Sequence, residues 1–126
     1  MTVVVDTSVL IDHLRGRVEA RDALRDVADR GEAIVGSVLT RTEILAGMRP
    51  AEGSATHALL GALEWAPVTT EVADRAGQLA QRYLRSHPGV DTVDYVIAAT
   101  VEVLSARLWT RNVKHFPMLA GLASPY

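Results

Sequence analysis

The sequence predicts an α/β fold of three layers, a short central parallel sheet with helices on both faces. Three observations predict it. Short β-branched or apolar runs alternate with longer stretches of helical periodicity, the pattern of strand–helix–strand units. The run Val3-Val4-Val5 is apolar without alternation, as in a strand buried on both faces. Gly16, Gly31, Gly36 and the loop Ser86-His87-Pro88-Gly89 punctuate the periodic segments. At 126 residues the chain has the length of one domain, 1–126, able to bury roughly two thirds of its unfolded surface.

Thr2 to Val5 reads as the first strand, and Asp6-Thr7-Ser8 is good helix-entry chemistry. A short helix over Val9 to Leu14 breaks around Gly16. Val18 to Arg30 places Val18, Ala20, Ala23, Leu24, Val27 and Ala28 near a 3.6-residue period, with Gly31 as its C-terminal cap. Ala33-Ile34-Val35-Gly36 is a second strand, and Ser37 is a candidate N-cap for a helix carrying Glu43 and ending near Gly47 to Pro50. Ala55 to Leu63 is helical, and Trp65-Ala66-Pro67-Val68 is brief and strand-like. Thr70 to Arg85 is an amphipathic helix capped by Thr69 or Thr70. After the loop Ser86-His87-Pro88-Gly89, Asp91 to Ser105 is the most apolar helix. Arg107 to Thr110 is the last strand, and the tail beyond Phe116 is short and irregular. No repeat, linker or low-complexity run interrupts this order.

Composition narrows the chemistry. There is no cysteine, which excludes disulfides, thiolate metal sites and a cysteine nucleophile. The four histidines lack the paired spacing of a zinc site. No Gly-rich loop is placed to cradle a nucleotide. No stretch approaches the ~18 uninterrupted apolar residues of a membrane span, and no signal peptide precedes the first strand. A soluble, cytoplasmic protein is expected. The formal charge of −2 argues against passive nucleic-acid binding over a broad basic face. It argues less against an enzyme whose bound metal supplies local positive charge. Hydrophobic content of 48% and a mean hydropathy of +0.13 suggest an apolar face covered by a second subunit or partner.

The informative residues are acidic and far apart. Asp6 ends the first strand, Glu43 lies in the mild segment Val38 to Ala46, and Asp91 and Asp94 open the apolar helix. In segments that a fold would bury, an unpaired carboxylate costs several kcal/mol, a cost tolerated where the charges hold a metal ion. In open α/β sheets, sites form at the carboxyl ends of strands where strand order reverses. Asp6 and Asn112 would both stand there if the first and last strands are neighbours. Plainer roles exist for each acid. Asp91 after Pro88-Gly89 is a good N-cap, Asp94 suits the first helical turn, Asp6 is a fair N-cap, and Glu43 fits an exposed polar edge.

Four motifs carry a resemblance. They are Val3-Val4-Val5-Asp6-Thr7-Ser8-Val9-Leu10-Ile11, Thr42-Glu43-Ile44-Leu45-Ala46-Gly47, Asp91-Thr92-Val93-Asp94-Tyr95-Val96-Ile97-Ala98-Ala99-Thr100, and Leu108-Trp109-Thr110-Arg111-Asn112-Val113-Lys114-His115-Phe116. In this order and spacing the chain resembles a PIN domain, and more narrowly the VapC-type ribonuclease toxins of bacterial toxin–antitoxin modules. The resemblance implies a PIN-like α/β/α fold and an endoribonuclease dependent on Mg2+ or Mn2+. Asp6, Glu43 and Asp94 would be the catalytic, metal-holding carboxylates, with Asp91 an additional acid one helical turn earlier. The metal would acidify a water that attacks the scissile phosphorus in line, and would neutralise the leaving oxygen. Thr7, Ser8 and Thr110 would bond site water or the carboxylates. Many relatives carry a further acid after the last motif strand; here that region offers Asn112, able to orient a water through its amide oxygen, and His115. Arg41, Arg49, Arg111 and Lys114 are candidates to grip RNA phosphates. Trp65 and Trp109 are expected in the core or an interface.

The resemblance further implies a homodimer, inhibited by a small VapB-type antitoxin that lays a segment, with a basic side chain, across the acidic groove. The substrate would be cellular RNA, cut in an exposed single-stranded loop. A PIN-like RNA- or protein-binding module without catalysis is the alternative, because the late acid is missing. A haloacid-dehalogenase-like phosphatase using Asp6 would want a second Asp where the chain has Ser8. A phospho-receiver domain would want its acids at strand ends rather than on a late helix.

Overall fold

The computed structural model describes residues 1–126. Its sheet has four parallel strands in the order β3-β2-β1-β4. These are β1 (Thr2–Val5), β2 (Ala33–Ser37), β3 (Glu64–Ala66) and β4 (Arg107–Trp109). Between them run α1 (Thr7–Leu14), α2 (Val18–Asp29), α3 (Val38–Ala46), α4 (Gly53–Ala62), α5 (Thr70–Tyr83) and α6 (Thr92–Val103). None of these helices is long and apolar enough to cross a membrane.

The three valines of β1 explain the layering. Successive side chains of a strand point to opposite faces. Val4 enters a core built from Val72, Ala76 and Leu79 of α5, Tyr95, Ile97 and Ala98 of α6, and Leu108 and Phe116. Val3 and Val5 enter a second core with Leu10, Leu24, Val27, Ile44 and Leu60 from α1 to α4. All three valines are fully buried, so the run has no polar face to alternate with.

The same arrangement follows from handedness. Crossovers between parallel strands are right-handed, so helices lie on one face while the chain steps one way along the sheet. The chain steps from β1 to β2 to β3 and then returns past β1 to β4, which puts α5 and α6 on the opposite face. Strand order therefore reverses between β1 and β4, whose registers pair Val3 with Arg107 and Val5 with Trp109.

Element ends depart from the sequence reading where local chemistry was ambiguous. The first helix starts at Thr7 rather than Val9, because Asp6 itself caps it and accepts from the Thr7 amide at 2.8 Å. Ser37 caps α3, and Thr69, not Thr70, caps α5. A 3-10 turn over Pro50–Glu52 precedes α4, which begins at Gly53 instead of Ala55. The sixth helix stops at Val103, and Ser105 takes φ of 50°, a left-handed role usually given to glycine and so invisible to a search for glycine caps. Gly36 has a packing reason: a Cβ there would come within 2.6 Å of Trp65 Cζ3, so the tryptophan ring lies directly on the β2 backbone.

Candidate active site

Asp6 stands at the reversal point. Its backbone amide donates to the Trp109 carbonyl at 2.9 Å, the last rung between β1 and β4, and its side chain turns into the start of α1. The side chain is buried, with 7% of the residue exposed. Oδ1 accepts from the Thr7 amide at 2.8 Å, and Oδ2 accepts from Thr110 Oγ1 at 2.8 Å, with Ser8 Oγ at 3.4 Å. The cost of burying this carboxylate is thus offset by fixed donors.

Thr110 does two things at once. Fully buried, it donates to Asp6 and accepts from the Asn112 amide at 2.9 Å, which folds the chain after β4 back over the site. Ser8 Oγ holds the same turn by accepting from the Arg111 amide at 3.0 Å. Thr110→Val keeps the shape and removes the hydroxyl, leaving the Asn112 amide and the buried Asp6 carboxylate each short of a partner. The expected loss is about 1–3 kcal/mol, read as a lower urea midpoint at unchanged slope.

Glu43 is exposed rather than buried, so the burial-cost argument does not apply to it. It reaches α1 all the same, where its Oε1 accepts from Thr7 Oγ1 at 2.8 Å. Asp91 is also exposed and caps α6: its Oδ1 accepts from the Asp94 amide at 3.1 Å, and Asp94 Oδ2 accepts from the Asp91 amide at 3.2 Å. This reciprocal box ties both acids to the helix start. Asp94 Oδ2 also lies 3.4 Å from His115 Nδ1. Partial burial raises the Asp94 pKa first, and the negative charges of Asp91 and Asp6 raise it further, against the Asp91 amide and His115.

These side chains share one cavity of about 280 Å3, lined by Asp6, Glu43, Asp91, Asp94, Asn112 and His115 together with residues of α1. The acids come from three places in the fold, the end of β1, α3 and the start of α6. No three of the Asp, Glu and His side chains are gathered at the distance that would ligate a single ion. The reason is visible in their partners: Glu43 is drawn to Thr7, and Asp94 to its own helix cap and His115. Their chemistry nevertheless fits a hard divalent cation. All the acidic donors are oxygens, and Glu43, Asp91 and Asp94 each spend one carboxylate oxygen on an orienting hydrogen bond and keep the other without a protein partner.

None of the four basic candidates lines this cavity. Arg41 is two residues from Glu43, about 200° around the helix, and its guanidinium lies over Trp65, 5.3 Å from the ring centre. Arg49 contributes its backbone amide to Glu52 Oε1. Arg111 turns its guanidinium to Asp12 Oδ2 at 3.1 Å. Lys114 is exposed in a neighbouring hollow beside His87 and His115. Trp65 and Trp109 pack partly buried against the second core, Trp65 donating from Nε1 to the Leu60 carbonyl at 2.8 Å. Sequence reasoning missed Asp12 and Tyr126, which meet beside the site. The available signal was the i,i+4 spacing of Ser8 and Asp12, which sets both on one face of α1.

Comparisons with known proteins agree on one family. The PIN domain profile matches residues 3–120. Ribonuclease VapC19 of Mycobacterium tuberculosis is 47% identical over 122 residues, covering 97% of this chain and 98% of that protein. Ribonuclease VapC10 of the same organism is 43% identical over 124 residues, covering 98% and 92%. Among solved structures, a toxin–antitoxin complex from Klebsiella pneumoniae superposes with a TM-score of 0.77 at 28% identity, covering 98% of both chains.

Proposed function

The chain belongs to the PIN domain family, and on that premise we propose that it is a divalent-metal-dependent endoribonuclease, the toxin of a VapBC-type toxin–antitoxin pair. The observation that carries the proposal is the cavity at the β1/β4 reversal, where Asp6, Glu43, Asp91 and Asp94 face one space. The relatives named as VapC ribonucleases, aligned over nearly the whole chain, support the same reading.

In this reading Asp6, Glu43 and Asp94 would hold Mg2+ or Mn2+, with Asp91 beside them. A bound ion of this kind supplies a more acidic water for attack on phosphorus and positive charge for the leaving oxygen. The protein's own part is orientation. Thr110 and Ser8 fix Asp6, and Thr7 fixes Glu43, so that two carboxylates from different elements keep a set direction. Asn112, which lines the same cavity, would orient that water through its amide oxygen, in the place of a further acid. His115 Nδ1 stands 3.4 Å from Asp94 Oδ2 and offsets part of its negative charge only when the ring is protonated. Phosphate contacts then fall to Lys114 and Arg49, because Arg111 and Arg41 are engaged elsewhere.

The same proposal gives the antitoxin a seat beside the site. A hollow lined by Ile11, Leu14, Ile44 and Met48, together with the charged Arg15 and Glu52, adjoins the acidic cavity, and Ile11 and Glu43 border both. A partner segment with apolar residues and one basic side chain would fill the first and neutralise the second. The homodimer belongs to the same proposal and is to be read from the mass in solution.

The reading is tested by incubating the purified protein with structured RNA. Cleavage is expected with Mn2+, none in excess EDTA, and recovery when metal is restored. A non-catalytic PIN-like module, favoured by Asn112 in place of an acid and by the spacing of the carboxylates, would leave RNA intact under all three conditions.

A further inference from the structure

Beside the acidic cavity lies a second, separate cluster built on Asp12. Ser8 and Asp12 are one helical turn apart on α1 and grip the two ends of one residue. Ser8 Oγ accepts from the Arg111 amide at 3.0 Å, and Asp12 Oδ2 accepts from Arg111 Nη1 at 3.1 Å. The hydroxyl of Tyr126, more than a hundred residues away in sequence, donates to the same Asp12 oxygen at 2.7 Å. Arg17 Nη1 stands 3.5 Å from that oxygen as well. Both guanidinium groups lie over the Tyr126 ring, at 4.9 Å for Arg111 and 5.1 Å for Arg17. One aromatic side chain from the tail thus completes a network that includes the residue between Thr110 and Asn112.

We propose that Tyr126 is a positioning residue of the ribonuclease site, acting by holding Arg111, and with it the turn 110–112, against α1. The idea rests on the functional reading above. Arg111 touches neither Asp6 nor the cavity. Its neighbours do: Thr110 donates to Asp6, and Asn112 lines the acidic space. Fixing the backbone and guanidinium of residue 111 therefore fixes the aim of the residues on either side. The arrangement also explains why an arginine so close to the site is turned away from it. Cation–π contact with Tyr126 and the ion pair with Asp12 occupy its charge. The tyrosine hydroxyl remains a donor at any physiological pH, since burial and the bond to Asp12 push its pKa up to about 12.

Amide hydrogen exchange, on the protein without metal or RNA, tests the tie directly. In Tyr126→Ala the amides of Arg111 and Asn112 are expected to exchange ~10-fold faster or more as the turn opens locally, while core amides such as that of Val4 keep their protection. Tyr126→Phe, which keeps the ring under both guanidinium groups and loses only the hydroxyl, is expected to fall in between. For RNA cleavage the same series should lower kcat ~10-fold in the alanine variant at unchanged KM, the scale of lost outer-sphere support, with partial recovery in the phenylalanine variant. Unchanged exchange at 111 and 112 in Tyr126→Ala would overturn the proposal. So would a rise in KM at constant kcat, which would make Tyr126 an RNA contact instead. A wild-type protein that cleaves no RNA would strike the ribonuclease reading, while the exchange data would still decide whether Tyr126 holds the turn.

Discussion

Asp6→Asn is expected to lower RNA cleavage by ~10²–10³-fold or more, the range lost when one preorganised electrostatic group is removed from a site. The same change should leave the fold nearly untouched. An asparagine keeps the Oδ1 acceptor that caps α1 through the Thr7 amide. Its new amide protons face Thr110 Oγ1, which has lone pairs for both this donor and the Asn112 amide once its own proton turns toward Ser8 Oγ, 3.5 Å away. The melting temperature is expected to move by less than ~5 °C, the size of about 1 kcal/mol in a domain of this length. Asp6→Ala gives the contrast: it removes the cap as well and costs ~0.5–2 kcal/mol. Equal activity loss in the two variants with unequal stability loss separates the charge from the cap. Cleavage at the wild-type rate by Asp6→Asn would remove this residue from the site.

Much of this architecture could be read before any coordinates. The strand run Val3-Val4-Val5 predicted a strand buried on both faces, and it occupies an inner position in the sheet, dividing its valines between the two cores. The reversal that juxtaposes Asp6 and Asn112 followed from placing the first and last strands side by side. Other features left no local trace. The sequence leaves Glu43 open between a buried place and an exposed polar edge; helical geometry turns it outward while Ile44 enters the core. The left-handed Ser105 lacks the residue type by which such helix ends are recognised. Tyr126 could not be foreseen at all. Its role depends on a tail that returns to α1, and no periodicity or spacing encodes a contact between Asp12 and a residue so remote.

Asp94→Asn should separate function from stability most sharply, because the two are expected to move in opposite directions. The folded protein raises the Asp94 pKa above the ordinary carboxylate value, through burial and then through the charges of Asp91 and Asp6. A raised folded value means that the native state binds the proton more tightly than the unfolded chain does. Its contribution to stability is therefore present below the unfolded pKa and lost as pH rises through the folded one. At neutral pH the ionised Asp94 works against the fold. Asparagine removes the charge and keeps an oxygen to accept from the Asp91 amide, preserving the helix cap. The metal-free variant should then melt above wild type at pH 7, and the advantage should shrink as pH falls through the carboxylate range. Cleavage should drop by ~10²-fold or more over the same comparison. Mn2+ should reverse the order of stability, since an ion held by the native state alone stabilises the protein that binds it better. If Asp94 served only its helix, the opposite would be seen. Losing a first-turn negative charge would lower the melting point, cleavage would persist, and Mn2+ would act on both proteins alike.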